Sequence, residues 1–139
     1  MTGSLLVLGA MLLFLVGHET GRAQTGEQTL SRSEAVQIMR ALNTAEADSI
    51  ALSKHGLTME TVQEHRFVKQ LDPQIGLSTR AGSDSALVKG HEVRLLLAQD
   101  QLHYTITIRS LGQSECPTIY MTNETGIMYT GVPASCEQH

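Results

Sequence analysis

The chain has 139 residues, of which 41% are hydrophobic and only 4% aromatic, and 10 Lys and Arg against 14 Asp and Glu leave a net charge of -4. That length is one domain, able to bury about two-thirds of its unfolded surface. The mild acidic balance lacks the basic stripes that neutralise phosphate, and aromatic side chains for base stacking are scarce, so nucleic acid is excluded as a partner.

The first segment, SLLVLGAMLLFLVG (Ser4 to Gly17), is almost wholly apolar. It is shorter than the roughly 20 residues that span a bilayer and matches a signal-peptide core. A polar run follows, and Gly21-Arg22-Ala23 offers small residues where a signal peptidase inspects the chain. The expectation is a signal peptide over residues 1–23 and a single mature domain over 24–139. The alternative is an uncleaved short anchor, the one route by which this chain would meet a membrane. Cleavage removes Glu19 and Arg22 together, so the mature charge stays at -4.

Ser31-Arg32-Ser33-Glu34 is a capping-box pattern ahead of an apolar periodicity. Ala35, Ile38, Met39, Leu42, Ala45, Ser49 and Leu52 recur at spacings of three and four, which predicts one amphipathic helix of about five turns. Lys54 and His55 are expected in its last turn and Gly56 just beyond its end. A second, shorter helix is expected from Leu57 to Leu71, capped by Thr61 and Glu64, with Val62, Phe67, Val68 and Leu71 on its apolar side and Asp72-Pro73 as its stop. Gln74 to Gly90, rich in Gly and Ser, reads as a long surface connection.

At His91 the period changes to two. Val93, Leu95 and Leu97 form one face of a first strand, and Leu102, Tyr104, Ile106 and Ile108 one face of a second, opposite His103, Thr105, Thr107 and Arg109. TIYMT supplies a third strand and GIMYTGV a fourth, joined by the corner Asn123-Glu124-Thr125-Gly126. The fold class is therefore α+β, a long helix laid on a small antiparallel sheet. Cys116 and Cys136 flank the terminal hairpin. In an exported chain an even count points to a disulfide, with two free thiols or a redox pair as the other readings.

Residues for chemistry are sparse. The histidines at 18, 55, 65, 91, 103 and 139 match no metal-ligand spacing, so no metal and no cofactor is expected. His103 reads as a solvated surface residue. No GxSxG elbow or P-loop occurs, Ser83-Asp84-Ser85 falls in the long connection, and no catalytic residue is nominated. Asn123-Glu124-Thr125 formally matches a glycosylation acceptor but is read as the hairpin turn. Met39, Met59, Met121 and Met128 are expected as gap-fillers in core or sheet.

IMRALNTAEADSIALS (Ile38 to Ser53) resembles the helix of type IV pilin-like and pseudopilin-like proteins, and YMTNETGIMYTG resembles their terminal hairpin, with Gly126 and Ile127 in matching places. Helix, long loop, antiparallel strands and hairpin also come in that order, over roughly residues 31 to 132. The resemblance implies a pilin-like globular head whose cysteine pair staples the C-terminal region to the sheet. The prepilin start, a basic leader ending in Gly followed by a Phe-Thr-Leu-Ile-Glu-like apolar spine, is absent, so only the head is implied.

The functional expectation is a non-catalytic, exported structural or protein-interaction protein of the periplasm, envelope or cell surface. Other envelope or pilus-type proteins would be its partners. The candidate interaction hairpin comprises Tyr120, Asn123, Glu124, Gly126 and Tyr129, and the loop from Gln74 to Gly90 is also expected to be displayed. Alternatives are a soluble periplasmic or secreted module, unrelated to pili, that binds a small ligand or protein, and a small secreted hydrolase.

Overall fold

A computed structural model describes residues 29–112 and 116–136. The expected signal peptide and the first residues of the mature domain lie outside the described residues. Among the described residues no helix is long and apolar enough to cross a membrane.

The chain forms α1 (Arg32–Ser53), the single-turn helices α2 (Met59–Val62) and α3 (Arg66–Lys69), and six strands: β1 (Ser78–Thr79), β2 (Ser85–Val88), β3 (His91–Leu97), β4 (Tyr104–Ser110), β5 (Ile119–Asn123) and β6 (Tyr129–Gly131). A 3₁₀ turn at Ala134–Cys136 follows. The strands form one antiparallel meander in the order β1-β2-β3-β4-β5-β6. This is the α+β class that the change of period announces.

α1 starts on the capping box read from the sequence. Ser31 Oγ accepts the Glu34 N–H at 3.2 Å and Glu34 Oε2 accepts the Ser31 N–H at 2.8 Å, so two otherwise orphaned donors are satisfied. The other Glu34 oxygen takes Lys89 Nζ from the β2–β3 turn, which ties the helix start to the sheet. Ala35, Ile38, Met39, Leu42 and Ala45 are buried against Val93, Leu95, Tyr104, Ile106 and Ile108 in one core cluster.

The stripe ends earlier than its spacing indicates. Leu52 is 80% exposed, because the last turn of α1 runs past the packed face and Ala51, Leu52 and Ser53 are all in solvent. Lys54 and His55 lie beyond the last turn, Lys54 being the left-handed C-cap with φ 63°. Gly56 therefore does not serve as the left-handed residue.

The single second helix is also corrected. Thr58, not Thr61, caps the segment, its hydroxyl accepting the Thr61 N–H at 3.3 Å. The chain breaks between two separate turns, α2 burying Met59 and Val62 and α3 burying Val68. His65 is extended at the start of α3, so no continuous helix from Leu57 to Leu71 forms.

The expected surface connection from Gln74 to Gly90 instead holds β1 and β2, with Ile75, Ala86 and Val88 buried. β2 joins β3 through the two-residue corner Lys89-Gly90, both at positive φ, 42° and 71°, a backbone matched to the twist of a hairpin. Leu102 is exposed in the β3–β4 turn rather than on the apolar face of β4. The last strand is shorter than expected, three residues instead of GIMYTGV.

Candidate functional site

Cys116 and Cys136 form a disulfide with Cα atoms 5.5 Å apart. It closes the chain across β5 and β6 and fixes both ends of the hairpin between them. The corner is an Asx turn, in which Asn123 Oδ1 accepts from Thr125 N (3.1 Å) and Thr125 Oγ1 (2.6 Å). The Gly126 N–H donates to the Asn123 carbonyl at 2.9 Å. Gly126 sits at φ 73°, a conformation that costs other residues.

The hairpin's candidate residues divide by face. Tyr120 pairs with Ile108 and Thr130, which places it, half-buried, on the core side. Met121 pairs with Thr107 and Tyr129, on the face away from α1. Glu124 and Gly126 are exposed at the tip, and Gly126 packs toward Asn43 of α1, whose Nδ2 lies 3.3 Å from where a Cβ would stand. All three residues of β6 are exposed, and among the described residues β6 pairs with β5 alone. Around this edge Met121 is 42%, Ile127 55%, Tyr129 50% and Val132 45% exposed, a concentration of large apolar side chains in water. Met121 therefore corrects the expectation that it fills a gap.

A polar cluster between α1 and the sheet went unrecognised in the sequence. Glu46 is fully buried. Its Oε2 accepts the Leu57 N–H at 2.9 Å, while Oε1 is buried without a hydrogen-bond partner among the described residues. Burial pushes its carboxyl up to about 7, against the lowering by the Leu57 N–H. Nearby, the Tyr104 hydroxyl donates to Asn43 Oδ1, and burial, with the Glu46 and Glu124 charges, raises that phenol to about 12. Thr122 Oγ1 is likewise buried and unpaired. The signal was present, since Glu46 stands four residues after Leu42 and seven after Met39, on the apolar stripe itself.

The remaining titratable pairs organise turns. Asp100 Oδ1 accepts the backbone N–H groups of Leu102 and His103, and Oδ2 meets His103 Nδ1 at 2.6 Å. These contacts hold Asp100 down at about 2 and raise His103. His103 lies in the turn before β4, exposed, rather than on the strand. Asp84, between Ser83 and Ser85, pairs with Arg94 at 2.8 Å. Among the described residues no group of three or more His, Cys, Asp or Glu is placed to hold a metal ion.

A cleft of about 390 Å³ opens between α2, the β1–β2 turn and β3, lined by residues that include Thr58, Met59, Asp84, Leu95 and Leu97. Comparison with protein-family models, with curated proteins and with solved structures gives no match to this chain.

Proposed function

We propose that the protein is a non-catalytic, exported protein-contact domain of the cell envelope or surface, with a pilin- or pseudopilin-like head, and that the stapled C-terminal hairpin is its contact surface. The observation that carries this reading is the exposure of Met121 and Tyr129, paired side by side across β5 and β6, and of Ile127 and Val132 in the flanking chain, at an edge strand that among the described residues pairs on one side only. Large apolar side chains concentrated on one rigid edge lose hydration cost when a partner covers them, and an open strand edge offers backbone groups for pairing. The cystine is compatible with an oxidising compartment.

The double variant Ile127→Ser with Tyr129→Ser tests the reading. It removes apolar surface that the core does not use, so its melting temperature should match the parent while its association with the envelope fraction falls at least tenfold. Undiminished association in a folded double variant would reject the hairpin as the contact surface. The 390 Å³ cleft supports a second reading, a small-ligand module unrelated to pili. Binding that survives the hairpin variant but is lost on Leu96→Lys, at an exposed position of the cleft wall, would favour it.

A further inference from the structure

The backbone that follows α1 closes directly over the Glu46 carboxyl. The Gly56 N–H donates to the Gln101 carbonyl at 2.8 Å, His55 Nδ1 lies 3.0 Å from Gln101 Oε1, and Ser49 Oγ donates to the His55 carbonyl at 2.8 Å. Leu57 then donates its N–H to Glu46 Oε2. The approach leaves no room for a side chain at Gly56, where a Cβ would fall inside the radius of Leu97 Cδ2 and 2.9 Å from Glu46 Oε2. The turn His55–Leu57 is thus clamped between α1 and the β3–β4 turn, with the carboxyl beneath it.

A buried carboxylate that receives one N–H and has a second oxygen without a partner is poorly compensated, whereas the neutral acid costs far less to bury. Water reaches the carboxyl if the turn lifts. The geometry points to Glu46 as a proton-operated latch: the turn His55–Leu57 stays closed over the neutral carboxyl and opens when the carboxyl ionises. Thr58 and Met59, which continue this turn, and Leu97, which abuts Gly56, also line the 390 Å³ cleft. Opening the latch therefore widens that cleft.

Of the titratable groups around the latch, Tyr104 of β4 feels the Glu46 charge and also that of Glu124, His55 lies in the turn itself and meets Gln101, and Asp100 and His103 pair within the β3–β4 turn that carries Gln101. Tyr104 keeps its proton until about pH 12 and Asp100 is ionised above about 2, so neither changes charge near neutrality. Glu46 does, at about 7. A variant at position 46 separates the Glu46 carboxyl from His55 and His103.

Hydrogen exchange at the Gly56 and Leu57 amides of the oxidised full chain, corrected for intrinsic rates, reads the latch. The open fraction should rise about a hundredfold between pH 4.5 and 8 and level off above, because the closed state holds the Glu46 proton more tightly than the open one. In Glu46→Gln, whose amide oxygen can still accept the Leu57 N–H, exchange should lose this dependence. An equal pH dependence in both proteins would overturn the latch and implicate the histidines. If Glu46→Gln fails to fold, carbon-detected titration of the Glu46 carboxyl in the unmodified chain decides: a midpoint near 7 that coincides with the pH at which Gly56 and Leu57 exchange levels off upholds the latch, and a midpoint near 4.5, or exchange that does not follow the carboxyl, overturns it.

Discussion

At Gly56 a single missing methyl decides local stability. Gly56→Ala forces Leu97 and Glu46 aside in a filled region, and over-packing of this kind costs about 1–3 kcal/mol. Chemical denaturation should show that loss, whereas Gly131→Ala, where an added Cβ meets nothing within contact range, should leave stability within about 0.5 kcal/mol. Glu46 acts through protons. Its acid is weaker folded (about 7) than unfolded (4.5), so the folded state binds the proton better and stability falls as pH rises between those values, by on the order of 3 kcal/mol. Glu34 and Asp100 have the opposite sign: both are held at about 2 by their hydrogen bonds, so the stability they add is lost as pH drops below the ordinary carboxylate range. Together these predict a melting temperature that peaks near pH 5 and declines on both sides. A plateau extending to pH 8 would remove Glu46 from the account.

Among the elements, α1 was the most legible, because cap and stripe are both local signals that tertiary packing reinforces. Ser31→Ala deletes the acceptor for the Glu34 N–H and should cost about 1 kcal/mol in a denaturation experiment. Ile106→Ala, at the buried centre of β4, should cost about 2–5 kcal/mol. The strands β3 and β4 were legible from the alternation of Val93, Leu95, Tyr104, Ile106 and Ile108. What escaped was short. β1 has two residues and β2 four, too few to establish a period, and the Gly- and Ser-rich composition around them imitates a loop. The Lys89-Gly90 corner was a usable hairpin signal, since two residues ending in Gly join two runs that both carry buried positions. The segment from Leu57 to Leu71 misled for another reason: its apolar residues fit a helical face, but the Thr58 cap stops at one turn and the extended His65 starts the next.

Across the molecule, the described residues form one cystine, one long helix with two single-turn helices, and six strands. Half of their exposed large apolar side chains fall in the terminal hairpin or just after it. The disulfide closes a loop spanning 20 positions and in the chain-entropy model stabilises the fold by about 3 kcal/mol. Reduction should therefore lower the melting temperature, and an unchanged melt with reductant would show that the hairpin does not depend on its staple. The pairing of the cysteines was legible from their even count, and the corner from Asn123 and Gly126. The division of the hairpin into a core-facing Tyr120 and a solvent-facing Met121 and Tyr129 was not, because it depends on register with β4, which lies more than ten residues away. That register leaves apolar side chains bare at the free edge, and contact through this edge is the central claim. Its most direct measurement is site-specific photo-crosslinking in intact cells, with the photoreactive residue at Tyr129 or, as the control, at the still more exposed Leu52 of α1. The account predicts discrete adducts from position 129 and none from position 52. Indistinguishable patterns from the two positions would contradict it.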